Sequence, residues 1–255
     1  MIRKADKVLP STPNLIFMRM SSPSRLLPGL ALIFSIQFAQ AAVIIDNFTD
    51  AADPSGTTTV EVSAAKPTPN PATFTGTGLT GVLGLERRIT VERTFQTGTG
   101  ARSVIATVSD APPAYLEYRS SGGANGFVQL AYGATNPLNA DLSGESMFRL
   151  IFEGYDAPNS NPLVTTLSLT SGTGSGTLVR NLPGVPLSAG GILDFNFNDP
   201  AFSAVDFSDV DSITIKFDPN QGGDFDVTSI TAIPEPSGAI TVLFGLLAAG
   251  FVRRR

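Results

Sequence analysis

Six aspartates lie between positions 206 and 226: Asp206, Asp209, Asp211, Asp218, Asp224 and Asp226. Carboxylates beside glycine-rich turns supply the hard oxygen ligands that Ca²⁺ takes at about 2.3–2.6 Å. Asp218, Asp224 and Asp226 flank the turn Gln221-Gly222-Gly223 and are the three that would converge on an ion. Asp46 would join them if the first and last strands pair. No EF-hand or nonapeptide spacing is present. Asp also favours turns and strand ends, where its side chain bonds the backbone. The cluster therefore reads either as one structural calcium site or as a set of turn formers, and no other cofactor is expected.

Three further constellations could do chemistry. Glycoside hydrolysis needs two carboxyl groups about 5–10 Å apart across a groove. Glu86, Glu92, Glu117, Glu145 and Glu153 are available, but none sits in a recognised hydrolase spacing. Each reads more simply as a solvent-facing strand residue, so no catalytic residue is assigned and the chain is expected not to be an enzyme. Tyr115 and Tyr118 bracket Leu116-Glu117 and precede Arg119. Such a segment could stack on a sugar and hydrogen-bond it, although in a strand the two rings point to opposite faces. Arg87 and Arg88 could grip the carboxylate of an acidic polysaccharide, or one of them could pair with an acid of the chain itself.

Composition narrows these choices. The chain has no Cys, His or Trp. That removes disulfides and thiol nucleophiles, the commonest general base and the best sugar-stacking ring. Residues 42–232 hold 20 acids against 9 bases, a net charge near −11. Nucleic acid is excluded as a partner, since its phosphates would be repelled.

The elements that must position these residues have a period of two. Ile213, Ile215 and Phe217 alternate with Ser212, Thr214, Lys216 and Asp218. The same pattern runs through Leu193–Phe197, Phe148–Phe152, Val104–Val108, Ile89–Val91 and Phe225–Val227. Half-buried strands of this kind belong to antiparallel sheets. Turn signals fall between them at short intervals, and no sustained 3.6 period appears. The expectation is an all-β antiparallel β-sandwich or jelly roll of ten to twelve strands over residues 42–232. In the irregular Thr57–Gly84 stretch one strand, Thr58–Ser63, is expected ahead of a long loop.

Both ends of the chain read as export signals. Arg3, Lys4, Lys7, Arg19 and Arg25 precede an apolar run, Leu26–Phe38, that ends in Ala39-Gln40-Ala41. A basic region, a short apolar region and an A-x-A site make a secretory signal peptide over 1–41. Signal peptidase would cut between Ala41 and Ala42. Met18 and Met20 are better-placed starts, so residues 1–17 read as a mis-assigned start or, at most, an unstructured extension. At the other end, Pro234-Glu235-Pro236 leads into a charge-free stretch, Ser237–Val252, and then Arg253, Arg254 and Arg255. The stretch reads as a single transmembrane helix over 238–252. At about 1.5 Å per residue its sixteen residues span about 24 Å, short for a ~30 Å hydrocarbon core. Such a span suits a temporary anchor, and the arginines would stay on the cytoplasmic side.

This three-part end, residues 233–255, resembles the PEP-CTERM sorting signal handled by the membrane protease-transpeptidase exosortase. The resemblance implies an exported protein of a Gram-negative-type envelope, anchored transiently in the inner membrane and then released to the outer surface or the extracellular matrix. Its implied partners are exosortase and extracellular polysaccharide. The segment Gly81-Val82-Leu83-Gly84-Leu85-Glu86-Arg87-Arg88-Ile89 is similar to a Gly-Gly-x-Arg-x-aliphatic motif of PEP-CTERM surface proteins with jelly-roll-like domains. Asp141-Leu142 and Asp224-Phe225-Asp226 continue that likeness, which carries no chemistry. The function expected is a non-enzymatic surface protein associated with exopolysaccharide. The alternative is a polysaccharide-binding or polysaccharide-active jelly roll.

Overall fold

The computed structural model describes residues 41–51, 59–65, 70–98, 102–156, 161–183, 191–220 and 222–234. The signal region 1–40 and the tail from Glu235 to Arg255 lie outside the described residues. Among the described residues the chain forms two antiparallel sheets packed face to face.

Seven strands make the first sheet: β1 (Val43–Asp46), β2 (Thr59–Ala65), β5 (Ser103–Ser109), β6 (Tyr115–Ser120), β8 (Met147–Asp156), β11 (Gly191–Asn196) and β13 (Asp224–Ile233). They lie in the order β11-β8-β13-β6-β5-β2. The short β1 pairs with residues 230–232 of β13, and β6 with residues 225–227. The second sheet holds β3 (Ala72–Thr77), β4 (Glu86–Gln96), β7 (Ala124–Tyr132), β9 (Leu163–Ser171), β10 (Gly174–Leu182) and β12 (Ser212–Asp218), in the order β10-β9-β12-β7-β4-β3. β3 corrects the expectation for Thr57–Gly84, which holds two strands instead of one and a loop. Of Ala72, Phe74 and Gly76 only Phe74 is a strong apolar marker, so β3 had little period-two signal.

The period-two residues fill the space between the sheets. Ile213, Ile215 and Phe217 are fully buried, as are Val104, Ala106, Val108, Phe148, Leu150 and Phe152. Phe217 of the second sheet meets Phe152 and Phe225 of the first at 6.0 and 5.2 Å between ring centroids, and Phe225 stacks on Tyr118 at 5.3 Å. Such contacts contribute beyond the area they bury.

The alternation breaks at a bulge in the first sheet. Val227 and Ile230 both face inward although three residues apart, and Phe152 and Tyr155 do the same on the neighbouring strand. The ladder between β8 and β13 shifts register there, between Asp226 and Ser229. A bulge adds a residue to one strand and re-aims the side chains beyond it. This bulge lies beside a groove on the outer face of the first sheet.

Candidate ligand groove

The register of the first sheet places Gly154 of β8, Asp226 of β13 and Glu117 of β6 side by side. It continues to Thr107 of β5 and Glu61 of β2. These residues alternate with the buried set, so they face away from the core. Gly154 has no side chain, and a depression of about 540 Å³ opens there. Glu117, Arg119, Asp156, Asp224 and Asp226 line it, with the backbone of three neighbouring strands beneath.

Two carboxyls of the groove are held toward the acid form. Burial is the largest reason that the Asp226 carboxyl is pushed up to about 6, and Glu117 and Glu153 add to it. Like charges directly opposite on paired strands repel. Asp224 is also raised, first by burial, although its Oδ1 accepts the backbone N–H of Ser120 at 2.8 Å. Arg119 is the one cation of the lining. Its Nε donates to Glu117 Oε1 at 2.6 Å, and its side chain is 67% exposed. So exposed a pair stabilises the fold little, which leaves the guanidinium available to a ligand.

Tyr115 and Tyr118 separate as the alternation requires. Tyr118 is fully buried and its hydroxyl has no hydrogen-bond partner. Tyr115 is half-buried on the face of Glu117 and Arg119. Of the three aspartates expected to share a metal, Asp224 and Asp226 line the groove, while Asp218 ends β12 in the other sheet. Among the described residues no group of three or more His, Cys, Asp or Glu is placed to hold a metal ion. Asp206 and Asp218 serve turns: Asp206 accepts from Ser208 N at 2.9 Å and Asp218 from Asn220 N at 3.2 Å.

Arg87 and Arg88 part company. Arg88 is exposed and Arg87 is buried. Arg87 Nη1 donates to both oxygens of Asp46 at 3.0 Å, and Nη2 donates to the carbonyl of Asp50 at 2.8 Å. Tyr132 OH and Phe48 N also donate to Asp46, each at 2.9 Å. Asp46 belongs to the first sheet, and Arg87 and Tyr132 to the second. The first and last strands do pair, yet Asp46 joins the two sheets and not the late aspartates. The arginine of the Gly-Gly-x-Arg-like segment is thus an internal clamp.

The processing residues that are described lie at one corner. Ala41 and Ala42 are exposed immediately before β1, and Pro234 directly follows β13. Ala39, Glu235, Pro236 and Arg253–Arg255 lie outside the described residues. The sequence marked Glu117, Arg119, Asp224 and Asp226 individually but held no reason to group them with Asp156 and Gly154. That grouping depends on a register between strands about a hundred residues apart.

No family model and no curated protein matches the chain. Several solved structures are similar to it. One is a family 11 carbohydrate-binding module from Clostridium thermocellum in complex with a β-1,3-1,4-mixed-linked tetrasaccharide, at 16% identity and TM-score 0.33 over 68% of this chain and 96% of that one. Another is TmCBM61 in complex with β-1,4-galactotriose, at 7% identity and TM-score 0.30 over 74% and 99%. A third is an arabinose-bound α-L-arabinofuranosidase, MgGH51, at 16% identity and TM-score 0.35 over 77% and 29%.

Proposed function

We propose that this chain is an exported, non-catalytic β-sandwich protein of the cell envelope that binds polysaccharide in the groove between β6, β8 and β13. The observation that carries the reading is the groove itself: an open depression on a sheet face, with carboxylates, one guanidinium and a glycine floor. Sugar hydroxyls are recognised by such ionised donors and acceptors, and charge-assisted hydrogen bonds are the stronger kind. Tyr115, on the same face, offers a ring to a sugar plane. The route to the envelope is the one the ends suggest, with cleavage by signal peptidase between Ala41 and Ala42 and sorting by exosortase at Pro234-Glu235-Pro236. The destination is the outer surface or the exopolysaccharide matrix, after a transient stay in the inner membrane.

Affinity electrophoresis in gels cast with mixed-linked β-glucan, β-1,4-galactan or poly-N-acetylglucosamine tests this. Retardation in at least one gel is expected. Glu117→Ala with Asp226→Ala should lose it by tenfold or more, while Thr214→Val on the other sheet should keep it. Free mobility in all three gels would remove support for the groove. Export is tested separately, by N-terminal sequencing and intact mass of the surface-extracted protein. A mature chain that begins at Ala42 and lacks Arg253–Arg255 is expected.

One observation favours the second reading, a polysaccharide-active enzyme. Asp226, with its carboxyl pushed up to about 6, directly opposes Glu117. A carboxyl of raised proton affinity beside a second carboxyl is what glycoside hydrolysis uses. Release of new reducing ends from the same glycans, abolished by Asp226→Asn, would establish that activity and displace the binding role.

A further inference from the structure

Val43 pairs with Ala232 and Ile44 with Thr231. The antiparallel register therefore sets Ala42 beside Ile233 and Ala41 beside Pro234. Ile233 is held there, since its carbonyl accepts from Ser146 N at 2.8 Å and from Ser146 Oγ at 3.2 Å. Only Glu235 and Pro236 separate Pro234 from the charge-free stretch that starts at Ser237. Three residue steps reach about 10 Å at full extension. The headgroup layer of one leaflet is itself roughly 5–8 Å deep. With the stretch inserted in a bilayer, even a fully extended linker holds this corner of the sandwich within roughly 5 Å of the headgroup layer.

The surface around the corner suits that position. Ile44 and Leu85 are large apolar side chains, 50% and 56% exposed. The segment that carries Leu85 runs along β1, with Asn47 N donating to Gly81 O and Asp46 bridging Val82. A shallow depression of about 260 Å³ lies there, lined by Ile44, Thr80, Val82 and Leu83 among others, with no ionisable side chain. The acidic groove is at the other end of β13. Asp224 and Ile233 are nine residue steps apart, about 30 Å along a strand.

We propose that, while the tail is inserted, the corner formed by β1, the end of β13 and the Leu79–Leu85 segment is a docking surface for a phospholipid bilayer, which directs the groove outward. This rests on the membrane reading of the tail and is independent of which glycan the groove takes. The chain contains no cysteine, so single labels need no background removal. Thr80→Cys lies on the corner. Gly122→Cys lies beyond the groove end, where an added Cβ meets Arg102 Nη1 at 4.0 Å, an ordinary contact. Each full-length variant, carrying a fluorophore, is reconstituted with phosphatidylethanolamine and phosphatidylglycerol vesicles whose headgroups bear a nitroxide quencher. Several-fold stronger quenching at position 80 than at position 122 is expected. Equal quenching, or stronger quenching at 122, in protein that floats with the vesicles would overturn the orientation and leave the tail reading standing. Failure to float would overturn the tail reading and the docking surface with it.

Discussion

Asp226 gains from a proton and Arg87 has no substitute, and both properties arise from where single side chains are buried. The native Asp226 carboxyl binds its proton more tightly than an unfolded one, whose affinity corresponds to about 4. The folded state therefore holds more protons between about 4 and the native value of about 6. By linkage, Asp226 favours folding below that window and opposes it above. Asp226→Asn should accordingly raise the melting temperature at pH 7.5, leave it unchanged near pH 3.5 and flatten the slope between, as read by thermal melts across pH. A parallel curve displaced by a constant would mean that the gain is not electrostatic. Arg87 works in the opposite sense. Removing one partner of a buried pair leaves a charge without compensation and costs about 3–5 kcal/mol. Arg87→Met should lose about that in urea unfolding, and Asp46→Asn with Arg87→Met should recover a large part. Arg87→Lys should not rescue, because an ammonium cannot span both Asp46 oxygens and the Asp50 carbonyl as the planar fork does.

At the scale of the strand, alternation was an adequate guide wherever a face is buried and regular. Ser212–Asp218 alternates cleanly because its neighbours β7 and β9 pair without a break, and Ile213, Ile215 and Phe217 all reach the core. Ile215→Asp would place a carboxylate at a fully buried position. That costs several kcal/mol, comparable to the whole stability of a domain. Loss of the cooperative melt at pH 7 is the expected result, with Ser212→Asp on the solvent side of the same strand close to wild type. Equal melts for both would refute the assigned face. The pattern was not legible where local signals are weak. β3 has one bulky residue, Phe74, among Thr, Ala and Gly, and the bulge between Asp226 and Ser229 interrupts the period without a Gly or Pro to announce it. Gly84 occupies a position that only glycine fits. Its φ is +74°, and an added Cβ would lie 2.4 Å from Leu138 Cδ2. What could not be read was the destination of the arginine that comes after it. The pairing of Arg87 with Asp46 joins residues 41 positions apart in different sheets.

For the molecule as a whole, the excess of acid could be counted from the sequence, but its placement could not. A charge near −11 over residues 42–232 sets up a field that any cation reduces by screening. A structural calcium site would add to that a specific term, because binding only the folded state raises stability by mass action, about 2.7 kcal/mol at a hundredfold excess over the dissociation constant. Calcium and magnesium separate the two effects. Both carry two charges and screen alike, but magnesium demands near-octahedral geometry and gives up its water reluctantly. The late aspartates are spread over both sheets, with Asp224 and Asp226 beside the groove, Asp218 at the end of β12, and Asp206 and Asp218 each accepting a turn N–H. Melting curves in millimolar CaCl₂ and in millimolar MgCl₂ should therefore rise by the same small amount over chelator-treated protein. Asp226→Asn, which removes one of the repelling charges, should reduce both shifts together. A calcium shift well above the magnesium one, lost in Asp224→Asn and in Asp218→Asn alike, would instead require these aspartates to close around a cation.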